Sequence, residues 1–432
     1  MRLQTLLLGA AAVAIAAPVN AQSAGTTLIY AGHLLDRPGS PARGASTIVV
    51  ENGRILRIDG GFTAPAGGAR VIDLRDRYVL PGLIDSHVHL DSDAGGDADL
   101  IEEVTKSVPA MTLQALANAR KTILAGFTTV RNLGDGTGAT LALRDAAARS
   151  EVDSPRIVDA GKSISTTSGH MDDTLSLAED LHSAIDQDNL CDGADDCRRA
   201  VRLQVRRGAD VIKIATTGGV NSRIGAGLGA QMFDDETRAI VETARLYGKK
   251  VAVHAHGTDG INMALAAGAA SIEHGTMLDA ESIRLFKKSG AYLVPTLSTV
   301  NGYIERLAAN ANAYSADVLP KIRWRISITG ENVRKAYPAG VKIAFGTDAG
   351  VSKHGRNADE FEAMVKYGMP PAEAVKAATV NAADLLGLAA EIGTIEPGKR
   401  ADIIAVSGDP LTDIAVLKQV RFVMKDGRVI KQ

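Results

Sequence analysis

His87 and His89 stand two residues apart in Asp85-Ser86-His87-Val88-His89. On an extended strand, residues i and i+2 point to one face, so both imidazoles can reach a single cation at about 2.0–2.1 Å. A lone His-x-His is weak, but the neighbouring Asp85 and the strand-end position favour the metal reading. His254 and His274 lie one strand-helix unit apart (274 − 254 = 20), which sets them side by side on consecutive strands. Asp348, in Phe345-Gly346-Thr347-Asp348-Ala349-Gly350, follows a run of buried type. An unpaired carboxylate is costly there, and a cation opposite it is the simplest compensation. Lys213 lies within Val211-Ile212-Lys213-Ile214-Ala215, where its ammonium must be desolvated. A salt bridge to Asp348 or a stem reaching out to water would answer that cost. Composition alone does not choose among these.

Such a set needs elements that bring it together. Eight short apolar runs read as strands: Tyr78–His89, Thr128–Leu133, Arg156–Ile164, Val211–Thr217, Lys250–Ala255, Ala270–Glu273, Tyr292–Leu297 and Lys342–Gly346. Helical patterns lie between them, among them Met111–Ala125, Asp196–Arg207, Asp234–Tyr247 and Ala280–Ser289. This alternation predicts an α/β fold, a (β/α)8 TIM barrel, with an open doubly wound sheet as the fallback. No Gly-x-Gly-x-x-Gly follows the first strand. Barrel active sites lie at the C-terminal strand ends, and the ligand types above fall on five different strands there. At both chain ends the pattern changes to hairpins, through Asn52-Gly53 and Asp426-Gly427. These predict a small β-sandwich-like domain built from residues 22–76 and 389–432 around a barrel of residues 77–388.

The charge balance is 48 − 50 = −2, so no basic excess points to nucleic acid or an anionic membrane. An apolar share of 45% and a charged share of 23% belong to an ordinary folded protein. Residues 1–21 read as an export signal: Arg2, an apolar run from Leu6 to Ala17, then Val19-Asn20-Ala21 before the cut. The run is too short to span a bilayer, so a periplasmic or secreted protein without a membrane anchor is expected. Two cysteines exclude a disulfide-rich scaffold. Cys191 and Cys197 either form a local disulfide or remain free thiols at a loop-to-helix junction.

Pro81-Gly82-Leu83-Ile84-Asp85-Ser86-His87-Val88-His89, Gly126-Phe127-Thr128-Thr129-Val130-Arg131, Val253-His254-Ala255-His256-Gly257, Ser271-Ile272-Glu273-His274-Gly275-Thr276 and Gly346-Thr347-Asp348 together resemble the amidohydrolase superfamily. The closing Gly393-Thr394-Ile395-Glu396-Pro397-Gly398-Lys399 is similar to that family's return to its small β domain. Lys213 before Gly218-Gly219, with Thr167-Ser168-Gly169-His170 upstream, resembles the branch of Xaa-Pro dipeptidases (prolidases), related carboxypeptidases and ochratoxinase. The resemblance implies two divalent metal ions, for which zinc fits the ligand types. His87, His89 and Asp348 would bind one, His254 and His274 the other, and Lys213, carboxylated by CO2, would bridge them. A shared hydroxide would attack an amide carbonyl, with Asp348 as general base and then acid.

By the same resemblance His170 would hydrogen-bond the substrate carbonyl; otherwise it is a loop histidine facing water. Arg223 is the cation expected to meet a substrate carboxylate, or else a solvated loop arginine. The adjoining Gly225-Ala226-Gly227-Leu228-Gly229 suggests a segment able to close over substrate. His256 is not counted as a ligand, His354 is placed at the cavity mouth, and His33 and His182 have no marked role. The expected function is cleavage of dipeptides or N-acyl amino acids, ochratoxin-type amides included, by a homo-oligomer. The rivals are a mononuclear deaminase or cyclic-amide hydrolase such as imidazolonepropionase, and a metal-free barrel serving as a binding module.

Overall fold

Strands from both chain ends join in one hydrogen-bonded sheet. They are β1 (Thr27–Leu34), β2 (Ser46–Glu51), β3 (Arg54–Gly60) and β4 (Arg70–Pro81) from the first end. β13 (Ile403–Val406), β14 (Phe422–Lys425) and β15 (Arg428–Lys431) come from the second, in the order β15-β14-β13-β4-β1-β2-β3. The expected sandwich-like domain is thus a single seven-stranded sheet with its own core, built on Ile29, Ile48, Ile72, Val79, Ile403 and Phe422. Both hairpin turns form where Asn-Gly and Asp-Gly stand. The computed structural model describes residues 25–93, 95, 101–102, 104–175, 177–223 and 227–432, and the signal expected at 1–21 lies outside them.

Between the two ends run eight parallel strands in two sheets. The first holds β5 (Leu83–Val88), β6 (Phe127–Asn132) and β7 (Arg156–Asp159). The second holds β8 (Ile212–Ala215), β9 (Val251–Ala255), β10 (Ser271–His274), β11 (Tyr292–Val294) and β12 (Lys342–Ile343). Helices connect them: α1 (Val108–Leu124), α2 (Ala139–Ala148), α3 (Ala194–Arg207), α4 (Asp234–Leu246), α5 (Thr258–Ala267) and α6 (Ala280–Ser289). Strands buried on both faces carry near-continuous apolar runs, as β9 does here, while β5 is as fully buried but carries Asp85, Ser86 and His87. At one seam Ile164 bridges to Ile214, and its N–H donates to the Lys213 carbonyl at 2.8 Å. At the other, Ser86 N–H donates to the Phe345 carbonyl (2.9 Å) and Asp348 N–H to that of His87 (2.7 Å). The domain is α/β, of the TIM-barrel kind. Arg156 ties it to the small sheet through ion pairs with Asp402 and Asp426, both at 2.7 Å.

Some expected boundaries move. The run Tyr78–His89 is two strands divided at Gly82, because the chain turns from the small sheet into the barrel there. A Cβ at Gly82 would meet Thr128 Oγ1 at 2.2 Å, so only glycine permits that approach. The third strand leaves its ladder after Asp159, whose carbonyl accepts from Asp210 N–H (2.7 Å), and bridges to the next strand at Ile164. The seventh and eighth end at Val294 and Ile343, so Asp348 sits on the stretch beyond β12 that pairs with β5. Cys191 and Cys197 are joined in a disulfide, and Cys191 N–H donates to the Ser165 carbonyl at 2.8 Å, tying the approach to α3 to the loop after β7. Among the described residues no helix is long and apolar enough to cross a membrane.

Candidate metal centre

The strand ends gather two groups of ligand-type side chains. In one, His87, His89 and Asp348 each offer an atom, all within 4.8 Å of one another. Asp348 Oδ1 lies 3.3 Å from Nε2 of both histidines. In the other, His254, His256 and His274 converge within the same limit, so His256, set aside from sequence, joins the ligand types. The rings of His87 and His274 link the groups, their centroids 5.2 Å apart. His274 (φ 68°) and Asp348 (φ 59°) both sit in the left-handed region, which costs non-glycine residues on the order of 1–3 kcal/mol each and concentrates at functional sites.

Protonation suits metal binding. Burial pushes His87 down to about 4 and holds His254, His256 and His274 well below their usual range, so these rings are neutral at neutral pH. Burial opposes ionisation of Asp348, but the facing histidines and Lys213 outweigh it and hold the carboxyl well below its usual range. Neutral imidazoles and an anionic carboxylate are the donors a borderline divalent cation takes. The set fits one such ion at each group.

Lys213 lines the same cavity as both groups. It is 1% exposed, and burial pushes its ammonium down to about 8. After burial, its charge also depresses His87 of one group and His254 and His274 of the other. Among the described residues its ammonium makes no ion pair or hydrogen bond, so the salt bridge to Asp348 is not formed.

Two carboxylates absent from the expected set brace the first group. Glu273 Oε2 accepts from His87 Nδ1 (2.9 Å), and its other oxygen pairs with Arg131 (2.8 Å). Burial disfavours the Glu273 anion, but Arg131 and His87 outweigh it and hold it down at about 2. Asp85 accepts from His87 N–H (3.1 Å), Thr347 Oγ1 (2.6 Å) and Asn357 Nδ2 (2.8 Å), which locks β5 to the stretch carrying Asp348. Glu273 is legible in Ser271-Ile272-Glu273-His274 as an acid inside a buried run, a cost that demands a partner.

The two groups floor a cavity of about 250 Å3. His170 lines it, its ring centroid 4.0 Å from that of His254 and its Nδ1 2.7 Å from Ser222 Oγ. A Cβ on Gly219 would meet that ring at 2.1 Å, so the glycine makes room for it. Burial pushes His170 down to about 3. Ser222 Oγ also accepts from Gly219 N–H (3.1 Å) and donates to the Gly219 carbonyl (3.1 Å). Arg223 is exposed and is not among the lining residues, and Gly225 and Ala226 lie outside the described ones. Besides Lys213, the buried cations in the wall are Lys162, which has Asp173 at 3.8 Å, and Arg325, which forms no ion pair among the described residues. His354 does not line the mouth: it donates from Nε2 to the carbonyls of His89 (2.9 Å) and Ser92 (3.0 Å), bracing the His89 backbone. His33 stacks on Tyr78, and His182 sits on a short 3-10 turn and is not among the lining residues.

Residues 78–430 match the Amidohydrolase family. A solved Xaa-Pro dipeptidase with methionine bound in its active site is 40% identical, covers 94% of this chain and 100% of its own, and superposes with a TM-score of 0.89. A prolidase solved with N-methylphosphonate-L-proline is 29% identical over 94% of this chain and 100% of its own, with a TM-score of 0.84. Ochratoxinase of Aspergillus niger is 34% identical over 94% of this chain and 86% of that protein.

Proposed function

The chain belongs to the amidohydrolase family, and from that premise we propose that it hydrolyses the amide bond of dipeptides or N-acyl amino acids at a pair of divalent cations. His87, His89 and Asp348 would hold one ion and His254 and His274 the other, with His256 beside them. Lys213, once its neutral amine has added to CO2 with release of one proton, would offer them an anionic carbamate as a further oxygen donor. The observation that carries this reading is a buried lysine whose ammonium forms no ion pair among the described residues, in the one cavity that both groups of ligand-type side chains line. Its lowered pKa leaves part of the amine unprotonated near neutral pH, and only that form adds to CO2.

When bound, the cations supply Lewis acidity to the substrate carbonyl and acidify a water molecule towards a pKa of about 7. Asp348 takes the proton of the attacking water and returns it to the leaving nitrogen. His170 hydrogen-bonds the carbonyl oxygen, where negative charge develops. Glu273 holds His87 in the Nδ1–H tautomer, leaving Nε2 free to ligate. The two parallel sheets close through their seams as a (β/α)8 barrel, and the leader of residues 1–21 directs export to the periplasm or medium. The similarity to ochratoxinase and to Xaa-Pro dipeptidase supports amide substrates with an acyl group on the amino acid nitrogen.

The test is a screen of dipeptides and N-acyl amino acids, ochratoxin A among them, against metal-loaded mature protein, with metal content measured in parallel. Hydrolysis of members of this panel with two ions per chain is expected. One ion per chain and an unmodified Lys213 would favour a mononuclear deaminase or cyclic-amide hydrolase instead. Two ions with no turnover of any panel member would remove the substrate class.

A further inference from the structure

Arg325 is 2% exposed, yet it lines the cavity above the metal-ligand groups. One terminal nitrogen donates to Thr329 Oγ1 (3.1 Å) and the other to the Thr296 carbonyl (3.2 Å). Both acceptors are neutral. Among the described residues no carboxylate forms an ion pair with it. Arg131, equally buried, shows the ordinary arrangement, with Glu273 at 2.8 Å. A guanidinium buried without a counter-anion is costly, and a cavity wall is where an anionic ligand can supply one.

Two further observations place that anion. Tyr303 lines the same cavity and is buried, and among the described residues nothing pairs with its hydroxyl. Burial raises its pKa, so it stays a donor, and the charge of Arg325 reaches it. Thr296, whose carbonyl accepts from Arg325, also holds His274 Nδ1 through its Oγ1 at 2.7 Å, which sets the guanidinium beside the second ligand group. Arg223, the cation expected in this role from sequence, is exposed and off the lining.

We propose that Arg325, with the Tyr303 hydroxyl beside it, binds the free carboxylate of the amino acid that leaves on hydrolysis. The proposal deepens the amide-hydrolase reading and rests on it for the bond that is cleaved. It makes the enzyme selective for C-terminal residues with a free acid over their esters and amides. The rest of the substrate then extends past His170.

Calorimetry on the metal-loaded protein separates the proposal from that reading, using 3-phenylpropanoate and the neutral 3-phenylpropan-1-ol as uncleavable probes. A charge-assisted bidentate contact predicts that the acid binds wild type about 10- to 100-fold more tightly than the alcohol. Arg325→Met should abolish that preference while keeping both metals, and Arg325→Lys should retain part of it. Tm of the ligand-free Arg325→Met protein should hold or rise, because an unpaired buried charge has gone. Wild type binding the two probes alike or not at all, or Arg325→Met keeping the acid preference, would overturn the assignment. If Arg325→Met does not fold, Arg325→Lys decides it by weakening the acid and sparing the alcohol, or by failing to. Hydrolysis of N-acetyl-L-phenylalanine is followed alongside. Preference without hydrolysis removes only the hydrolase reading, and hydrolysis without preference removes only the anchor.

Discussion

Glu273 Oε2 stands 2.9 Å from Nδ1 of His87, a contact that joins β10 of one parallel sheet to β5 of the other. It fixes which ring nitrogen carries the proton, and so which lone pair points at Asp348. Arg131, on β6, holds the same carboxylate from the other side and donates from Nε to the Ser86 carbonyl at 2.6 Å. Three strands thus set the orientation of one ligand.

Glu273→Gln keeps the bulk but no longer fixes the tautomer. Metal affinity at the His87 group should fall about 10- to 100-fold, read by chelator competition. An unchanged dissociation constant would show that the contact serves packing alone. Glu273→Ala is the harsher change, since it leaves the buried Arg131 unpaired and should cost about 3–5 kcal/mol of stability.

His170→Ala should slow turnover with both metals retained, and loss of metal would make it a ligand instead. Ser222→Ala frees the His170 ring to take either tautomer. A net hydrogen bond of about 0.5–1.5 kcal/mol corresponds to a loss of roughly threefold to tenfold in kcat, with KM little moved. Equal loss in both variants' metal content would contradict the assignment.

Much of this centre is legible in the sequence because strand geometry is local. The two-residue period marks His87 and His89, and one βα repeat separates His254 from His274. Asp348 stands out as an acid after an apolar run. What the sequence hides is pairing over distance. Arg131 and Glu273 meet across 142 positions, and neither marks the other in sequence. Arg325 sits on α8 (Leu319–Ser327), following α7 (Thr299–Ala309) in the long excursion after β11, where no local pattern distinguishes it from a surface arginine. Arg223 drew attention by its nearness to Lys213 along the chain, which is not nearness in the cavity. The break at Gly82 is hidden inside a continuous apolar run, since it is set by Thr128 approaching from another strand.

Burial pushes the Glu360 carboxyl up to about 7, while it accepts from the N–H groups of Leu297 (2.9 Å) and Ser298 (2.6 Å). Its unfolded value is near 4.5, so between pH 4.5 and 7 the native state binds more protons than the unfolded one. Stability therefore falls as pH rises through that window, by about 3 kcal/mol from this group when the pKa difference is converted. Chemical denaturation across the window should show a flatter slope for Glu360→Gln than for wild type. Parallel slopes would mean that the carboxyl is not perturbed.

The Cys191–Cys197 disulfide closes a short loop, with a sequence separation of 6. Chain-entropy arguments give such a loop about 2 kcal/mol. Replacing both cysteines with serine should lower stability by that amount and loosen the segment bonded to Ser165, five residues before His170. An unchanged Tm would contradict a constraining role.

The central claim is a pair of cations joined through a CO2-modified lysine. An anomalous-difference map from crystals of metal-loaded protein, grown with bicarbonate, tests it most directly. The account predicts two peaks, one at His87, His89 and Asp348 and one at His254 and His274, with continuous density from Lys213 Nζ to both. One peak, no peak, or a bare amine at Lys213 between two ions would contradict it.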